Sequence, residues 1–406
     1  MRRTLFLLGI LCASVLPGLS QAGKSIPVAN AAHQVTIPFE LVTKHVVVKV
    51  KVNNSRPLPF ILDTGDKFAI IDLDRAKELG LSLKGDIQSG GAGAAALTGS
   101  FVQGSPLTIP GLEGFSQQVT IAFPLKSLAA ALGQEIDGIL GSEFIKEFVT
   151  EIDYQAGVIR LHDKERFRYS GSGESIPIEL NADGHPIIEA DVTPGGGETL
   201  KGKFVLDLGS NAPLALYSPF VAQHHLLGPN LKTIRALGAA GVGGQTSAQI
   251  GRVAELRIGR FTLAGPITLF SQDKAGAFAS ADIQGNVGEQ ILSRFTIFLD
   301  YGRCRVILEP NKTLSQPFAP ALAGFSLEAE GSDYKTFRIT DVLENSPASE
   351  AGLQRGDVIT AVDSRPAFEL SLSEMLEMFE RSVSYSLNVK RGNISLRVTL
   401  RPRNLV

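Results

Sequence analysis

Cysteine is nearly missing from this chain of 406 residues, with Cys12 and Cys304 the only two. Cys12 sits in an apolar N-terminal leader and departs with it, so Cys304 has no partner and an internal disulfide is excluded. We expect Cys304 to be a half-buried residue of a sheet strand rather than a reactive thiol. Histidine is sparse as well: six, with no Cys or His pair at ligand spacing, which argues against a zinc site. The adjacent His224 and His225 follow a helix-like stretch and read as a solvated helix end. An excess of one charge sign is also lacking, because 39 Lys and Arg face 41 Asp and Glu for a formal charge of −2. A chain so balanced carries no basic footprint for nucleic acid. No stretch after the leader reaches the roughly 18 apolar residues of a membrane-spanning helix. Neither a Gly-x-Ser-x-Gly elbow nor a His-Glu-x-x-His helix occurs, which removes two common hydrolase chemistries.

What is present describes a globular protein rich in turns. Hydrophobic residues make up 44% and charged residues 20%, with 42 glycines, and the length implies two or three domains. Arg2 and Arg3, an apolar run over 5–16, Pro17 and the small residues of Ser20-Gln21-Ala22 form a secretory signal pattern with cleavage after Ala22. Export to a periplasm or to the medium is therefore expected. Residues 18–25 also satisfy the letters of a phosphate-binding loop. They lack a strand before and a helix after, so that reading is rejected. Residues 23–33 are short for an inhibitory propeptide, and no activation step is expected.

The informative stretch is Phe60-Ile61-Leu62-Asp63-Thr64-Gly65, which returns as Phe204-Val205-Leu206-Asp207-Leu208-Gly209-Ser210. Each is an apolar strand ending in an acid and a glycine. Two such acids brought together can share a proton and activate water. One Asp-Thr-Gly alone reads most simply as a turn, but the rest of the chain repeats with it. Asp207 follows Asp63 by 144 residues, while Phe295 follows Phe148, Asp300 follows Asp153 and Tyr301 follows Tyr154 by 147. Pro38-Phe39-Glu40-Leu41 likewise recurs as Pro177-Ile178-Glu179-Leu180. One β-rich lobe is written twice, and two lobes packed about a pseudo-twofold axis would place Asp63 opposite Asp207. Gly65 and Gly209 would let the backbone turn tightly beside each acid, and Ser210 could hold its neighbouring carboxylate. Asp153 and Asp300 each precede a tyrosine and a glycine turn and read as structural. Gly90, Gly91 and Gly93 belong to a small, mobile stretch that fits either a plain loop or a lid over a cleft. The domains expected are a signal peptide at 1–22, lobes at 23–165 and 166–314, and a linker with an α+β module at 315–406.

At Asp63-Thr64-Gly65 and Asp137-Gly138-Ile139-Leu140-Gly141, residues 30–310 resemble the retropepsin/pepsin-type aspartic protease family. The resemblance implies a mainly β, bilobal, double β-barrel fold with Asp63 and Asp207 catalytic. Thr64, Gly65, Gly209 and Ser210 would support the dyad, and residues 90–100 would form the flap. No cofactor is implied. Residues 346–359, Ser-Pro-Ala-Ser-Glu-Ala-Gly-Leu-Gln-Arg-Gly-Asp-Val-Ile, resemble a PDZ domain. That similarity implies that Gly324, Phe325, Ser326 and Leu327 bind the C-termini of peptides by β-augmentation. Two positions depart from the protease pattern. Leu208 stands where the family has a threonine bonded to the other lobe, a loss of roughly 0.5–1.5 kcal/mol. Asp66 follows the first glycine where a small residue or serine is usual. Facing the dyad it would raise the pair's pKa values, and facing solvent it would be screened by Lys67.

The function these readings imply is an exported aspartic endopeptidase acting on peptides or unfolded proteins, monomeric or weakly oligomeric. A non-catalytic, two-lobed peptide-binding protein is the alternative that Asp66 and Leu208 keep open. A third reading makes the PDZ unit a contact between copies of the chain.

Overall fold

Alternation of apolar and basic residues over 45–52 becomes the strand His45–Val52. Val46, Val48, Val50 and Val52 are buried, while Lys49 and Lys51 face solvent. The computed structural model in which this is seen describes residues 6–7, 34–90, 96–236, 240–241, 244–245, 247–318 and 321–406. Most of the leader and the rejected phosphate-loop pattern lie outside them.

The apolar run before the first acid forms the fully buried strand Leu58–Leu62. It pairs antiparallel with His45–Val52 and parallel with Gly138–Leu140, within a ten-stranded sheet. Burial on both faces explains why it reads as a continuous apolar run. The second lobe repeats the arrangement in another ten-stranded sheet. There Leu200–Asp207 lies antiparallel to Pro186–Thr193 and parallel to Gly285–Gly288. Both acids thus stand at the ends of central strands.

A six-stranded sheet joins the lobes, three strands from each: Gln34–Pro38, Val149–Asp153 and Val158–His162 from the first, Glu174–Pro177, Phe295–Asp300 and Arg305–Pro310 from the second. At its centre Val149–Asp153 runs antiparallel to Phe295–Asp300, with Glu151 opposite Phe298. These two residues are 147 apart, the offset of the repeat, so the pseudo-twofold axis passes between them. Asp153 and Asp300 are structural, as expected. Asp153 Oδ1 accepts the amides of Gln155 and Ala156 in the hairpin turn, and Asp300 holds Arg303 and Arg305. Cys304 differs from expectation: it is exposed, in a left-handed conformation that closes the turn after Tyr301–Arg303, one residue before the next strand begins. The turn runs one residue further than the apolar pattern suggests, and the arginines on either side of Cys304 are both held by Asp300.

The C-terminal unit has its own apolar core around Phe337, Met375 and Leu387. Its principal strands are Phe325–Glu330, Thr336–Val342, Val358–Val362, Tyr385–Arg391 and Ile394–Leu400, with helices Pro347–Glu350 and Leu372–Phe379. Both helices open with capping boxes, at Ser346 and Ser371. The fold is mainly β, with two large sheet lobes and a C-terminal PDZ domain. No helix among the described residues is long and apolar enough to cross a membrane.

Ile152 is fully buried where the lobes share their sheet. Ile152→Ala should cost about 2–5 kcal/mol and, in calorimetry, lower one unfolding transition common to both lobes.

Candidate active site

The parallel strand pairs aim the two acids at one another. Asp63 donates its amide to Leu140 O at 3.0 Å, which ties the acid-bearing turn to the Gly138–Leu140 strand. Asp63 and Asp207 are both buried, and the glycine of each loop lies against the acid of the other. A methyl group at Gly209 would stand 2.1 Å from Asp63 Oδ2, and one at Gly65 3.1 Å from Asp207 Oδ1. Neither glycine has a left-handed φ. They are required for close approach across the lobes rather than for the tight turning expected from sequence.

Thr64 bridges the lobes beneath the dyad. Its hydroxyl donates to Leu206 O at 2.5 Å and accepts from Leu208 N at 2.9 Å. Leu208 is buried and apolar, so the hydroxyl expected of its position is missing while the bonds made by Thr64 stand. Ser210 does not hold Asp207 with its hydroxyl, which has no hydrogen-bond partner among the described residues. Its backbone amide instead helps stabilise the carboxylate, because the turn points N–H groups inward and Oγ elsewhere. Asp66 is buried, and its charge acts on Asp63, so the first of the two placements open in the sequence is the one adopted. Lys67 reaches the carbonyl of Ala182.

Burial pushes the Asp63 carboxyl well above the usual range. The charges of Asp207 and then Asp66 push it further, against the amides of Gly65 and Gly209. Burial also lifts Asp207, to about 7. The Asn286 side chain, the amides of Gly209 and Ser210, and a hydrogen bond from Asp63 oppose that rise. Gly65 N donates to Asp63 Oδ1 at 2.7 Å, while Asp63 Oδ2 accepts from no donor among the described residues. On Asp207, Gly209 N donates to Oδ1 at 3.0 Å and Asn286 Nδ2 to Oδ2 at 2.7 Å. A protonated Asp63 beside an ionised Asp207 satisfies this pattern, since two adjacent carboxylates do not both ionise.

Sequence reading missed the groups around the pair. His45 Nε2 donates to Gly209 O at 3.1 Å, crossing from one lobe to the loop of the other. Tyr154 Oη donates to the buried Glu289 at 3.0 Å. Burial raises the Glu289 carboxyl, against the Tyr154 hydrogen bond and the charge of Lys44. Tyr301, the repeat equivalent of Tyr154, is raised by burial and by the charge of Asp63. The repeat held the signal: Tyr154 and Tyr301, Ser142 and Glu289, and Ile139 and Asn286 all stand 147 apart.

The flap residues form a hairpin. Ser82–Gly90 pairs antiparallel with Ala96–Gln103, Gly90 opposite Ala96, and Gly91 and Gly93 lie outside the described residues. In the PDZ unit, Gly324 has a φ of +88° and sits against Ser346, where a methyl group would approach to 2.2 Å. Phe325, Ser326 and Leu327 lie on the strand that ends its sheet, but all three are buried. The first lobe covers them: helix Lys126–Leu132 packs along this strand, and Thr43 N donates to Ser373 Oγ at 2.5 Å. Lys44 Nζ lies 3.6 Å from Glu380, and Thr43, Lys44 and Ala131 share a cavity with Leu327 and Leu376.

Comparison with known proteins identifies part of the first lobe and part of the C-terminal unit. Residues 48–144 match the family model described as aspartyl protease, and residues 338–384 match that of the PDZ domain. The chain therefore carries an aspartyl protease domain and a C-terminal PDZ domain. A solved structure, the HtrA3 PDZ domain bound to a phage-derived ligand (FGRWV), is 26% identical over 20% of this chain and 85% of that one, with a TM-score of 0.19. No curated protein matches.

Asp63 has a folded pKa above its unfolded one. The stability it lends is complete below the unfolded value and is lost as pH rises through the folded value. Asp63→Asn removes that loss while retaining an acceptor for Gly65 N. The variant should melt above the wild type at alkaline pH, and the gap should close on acidification, as read by thermal unfolding across pH.

Proposed function

We propose that the chain is an exported aspartic endopeptidase that hydrolyses peptide bonds in unfolded or extended polypeptides. The observation that carries this reading is the pair of matched, buried aspartates whose surroundings favour one shared proton. Such sharing is general among aspartic proteases. The ionised carboxylate takes a proton from a water held between the acids, and the water oxygen bonds to the scissile carbonyl carbon. The protonated carboxyl gives its proton to the carbonyl oxygen. The tetrahedral species then collapses with cleavage of the C–N bond, the amine leaving with the proton taken from water. This chemistry calls for no metal or cofactor. In this reading the paired strands Ser82–Gly90 and Ala96–Gln103 would serve as the flap over an extended substrate. Export rests on Arg2, Arg3 and the apolar run that follows.

The PDZ module serves to bind peptide C-termini, but its strand edge is packed against the first lobe. A peptide must displace helix Lys126–Leu132 and the loop at Thr43 and Lys44 to pair with it, so occupancy of this groove bears on His45, the next residue. Ala131→Arg, which forces that helix off the strand, should tighten binding of a peptide with an apolar C-terminus by about tenfold, because the binding-competent fraction rises. Calorimetric titration of the full chain reads this. Unchanged affinity would mean that the groove needs no opening.

Assay of an unfolded polypeptide across about pH 3 to 8 should give a bell-shaped rate, with a window drawn upward toward neutrality by burial of the pair. Asp63→Asn and Asp207→Asn should each abolish cleavage. Peptide binding that survives both substitutions, with no cleavage at any pH, would instead support a non-catalytic binder, the reading favoured by the buried charge of Asp66 beside Asp63.

A further inference from the structure

The two lobes are copies, so departures from the repeat at the dyad are informative. The first lobe has Ile139 in the strand beside its acid, fully buried and packed among apolar neighbours. The second lobe has Asn286 at the equivalent position of Gly285–Gly288, buried to 1% exposure between the acid-bearing strand and Leu214–Leu216. Its Nδ2 donates to Asp207 Oδ2 at 2.7 Å, while its Oδ1 has no hydrogen-bond partner among the described residues. A buried amide with an orphaned oxygen costs stability that isoleucine would not. Packing therefore does not account for Asn286, and its one bond does.

We propose that Asn286 is a positioning residue that divides the labour of the dyad, its amide holding Asp207 as the carboxylate and leaving Asp63 as the acid. The inference rests on the endopeptidase reading above and adds an assignment to it. Asp207 receives a donor on each oxygen, Gly209 N on one and Asn286 Nδ2 on the other. Asp63 has no such side-chain donor among the described residues: Gly65 N bonds its Oδ1, the Gly209 amide also acts on the carboxyl, and Oδ2 accepts from no donor. The other groups around the pair reinforce or oppose this division. Asp63 is disfavoured as a carboxylate first by burial, then by the charge of Asp207 and then by that of Asp66, and its own charge acts on the buried Tyr301. Glu289 interacts with Asp207 and would disfavour its ionisation, but Glu289 is itself held toward the neutral form by burial. Lys44 and Tyr154 act on Glu289, and His45 holds Gly209 O.

In the cycle that follows, Asp207 takes the proton from water as the O–C bond forms, and Asp63 protonates the carbonyl oxygen. Asp207 then passes its proton to the departing nitrogen as the C–N bond breaks. Asp63 recovers a proton from a hydroxyl of the tetrahedral carbon, which restores both groups.

Asn286→Leu keeps the branched outline of the side chain and removes the donor. The acidic limb of kcat/KM should move up by about one pH unit and kcat should fall about tenfold or more, with KM changed less than about twofold. Carbon-13 NMR titration of the aspartate carboxyls gives a readout that needs no turnover. In the wild type Asp207 should ionise before Asp63, and in Asn286→Leu the lower apparent pKa of the pair should rise. An unchanged lower value in a folded variant overturns the inference, as does a wild type in which Asp63 ionises first. The wild-type order decides the matter even if Asn286→Leu fails to fold. Absence of cleavage by the wild type at every pH would sink the endopeptidase reading instead, leaving the carboxyl titration to judge Asn286 separately.

Discussion

Two carboxyl groups are packed against each other's loops at the junction of two lobes, and among the described residues no cation is bonded to either. Burial and mutual repulsion both oppose ionisation, so the pair is a source of instability at neutral pH that the remaining structure must hold in place. The closeness depends on an absence of side chain. Each loop contributes a glycine where the opposing acid needs room, and at Gly209 even a methyl group would fall on the Asp63 carboxylate. Backbone amides and the Asn286 amide then supply donors that a cation would otherwise provide, while the Thr64 hydroxyl ties the two loops together beneath them.

The scaffold that enforces this meeting is the shared six-stranded sheet. Its central antiparallel pair brings equivalent residues together, so the axis relating the lobes is built into a hydrogen-bond register rather than left to surface contacts. Symmetry of the backbone nevertheless carries asymmetry of the side chains. Thr64 faces Leu208, Asp66 corresponds to Ser210, Ser142 to Glu289 and Ile139 to Asn286. A tethered pair of lobes can differ in this way because each copy is free to change alone, and the differences fall around the dyad, where they tell one acid from the other.

The PDZ unit is attached to the same machinery. The edge of its first strand, the natural place for an added peptide strand, is covered by a helix of the first lobe. The covering loop ends at His45, which holds the carbonyl of Gly209. A short run of backbone therefore links the groove of one module to the dyad of the other.

The two acids, the duplicated lobe, the paired strands on either side of the Gly/Ala run and the order of PDZ elements were legible in the sequence because each depends on local signals. Apolar periodicity defines strands, glycine and Asx turns bound them, and constant offsets between Asp153 and Asp300 or Tyr154 and Tyr301 expose the repeat. Packing between distant segments decided the rest. The reason Gly65 and Gly209 are glycine, the idle hydroxyl of Ser210, the exposure of Cys304, the inward face of Asp66, the cross-lobe reach of His45 and the covering of Ser326 all depend on what stands opposite in space. Linear spacing announces that two carboxylates exist at matching places. Only the packing of Gly285–Gly288 against the strand that ends in Asp207 decides that this acid meets a side-chain amide.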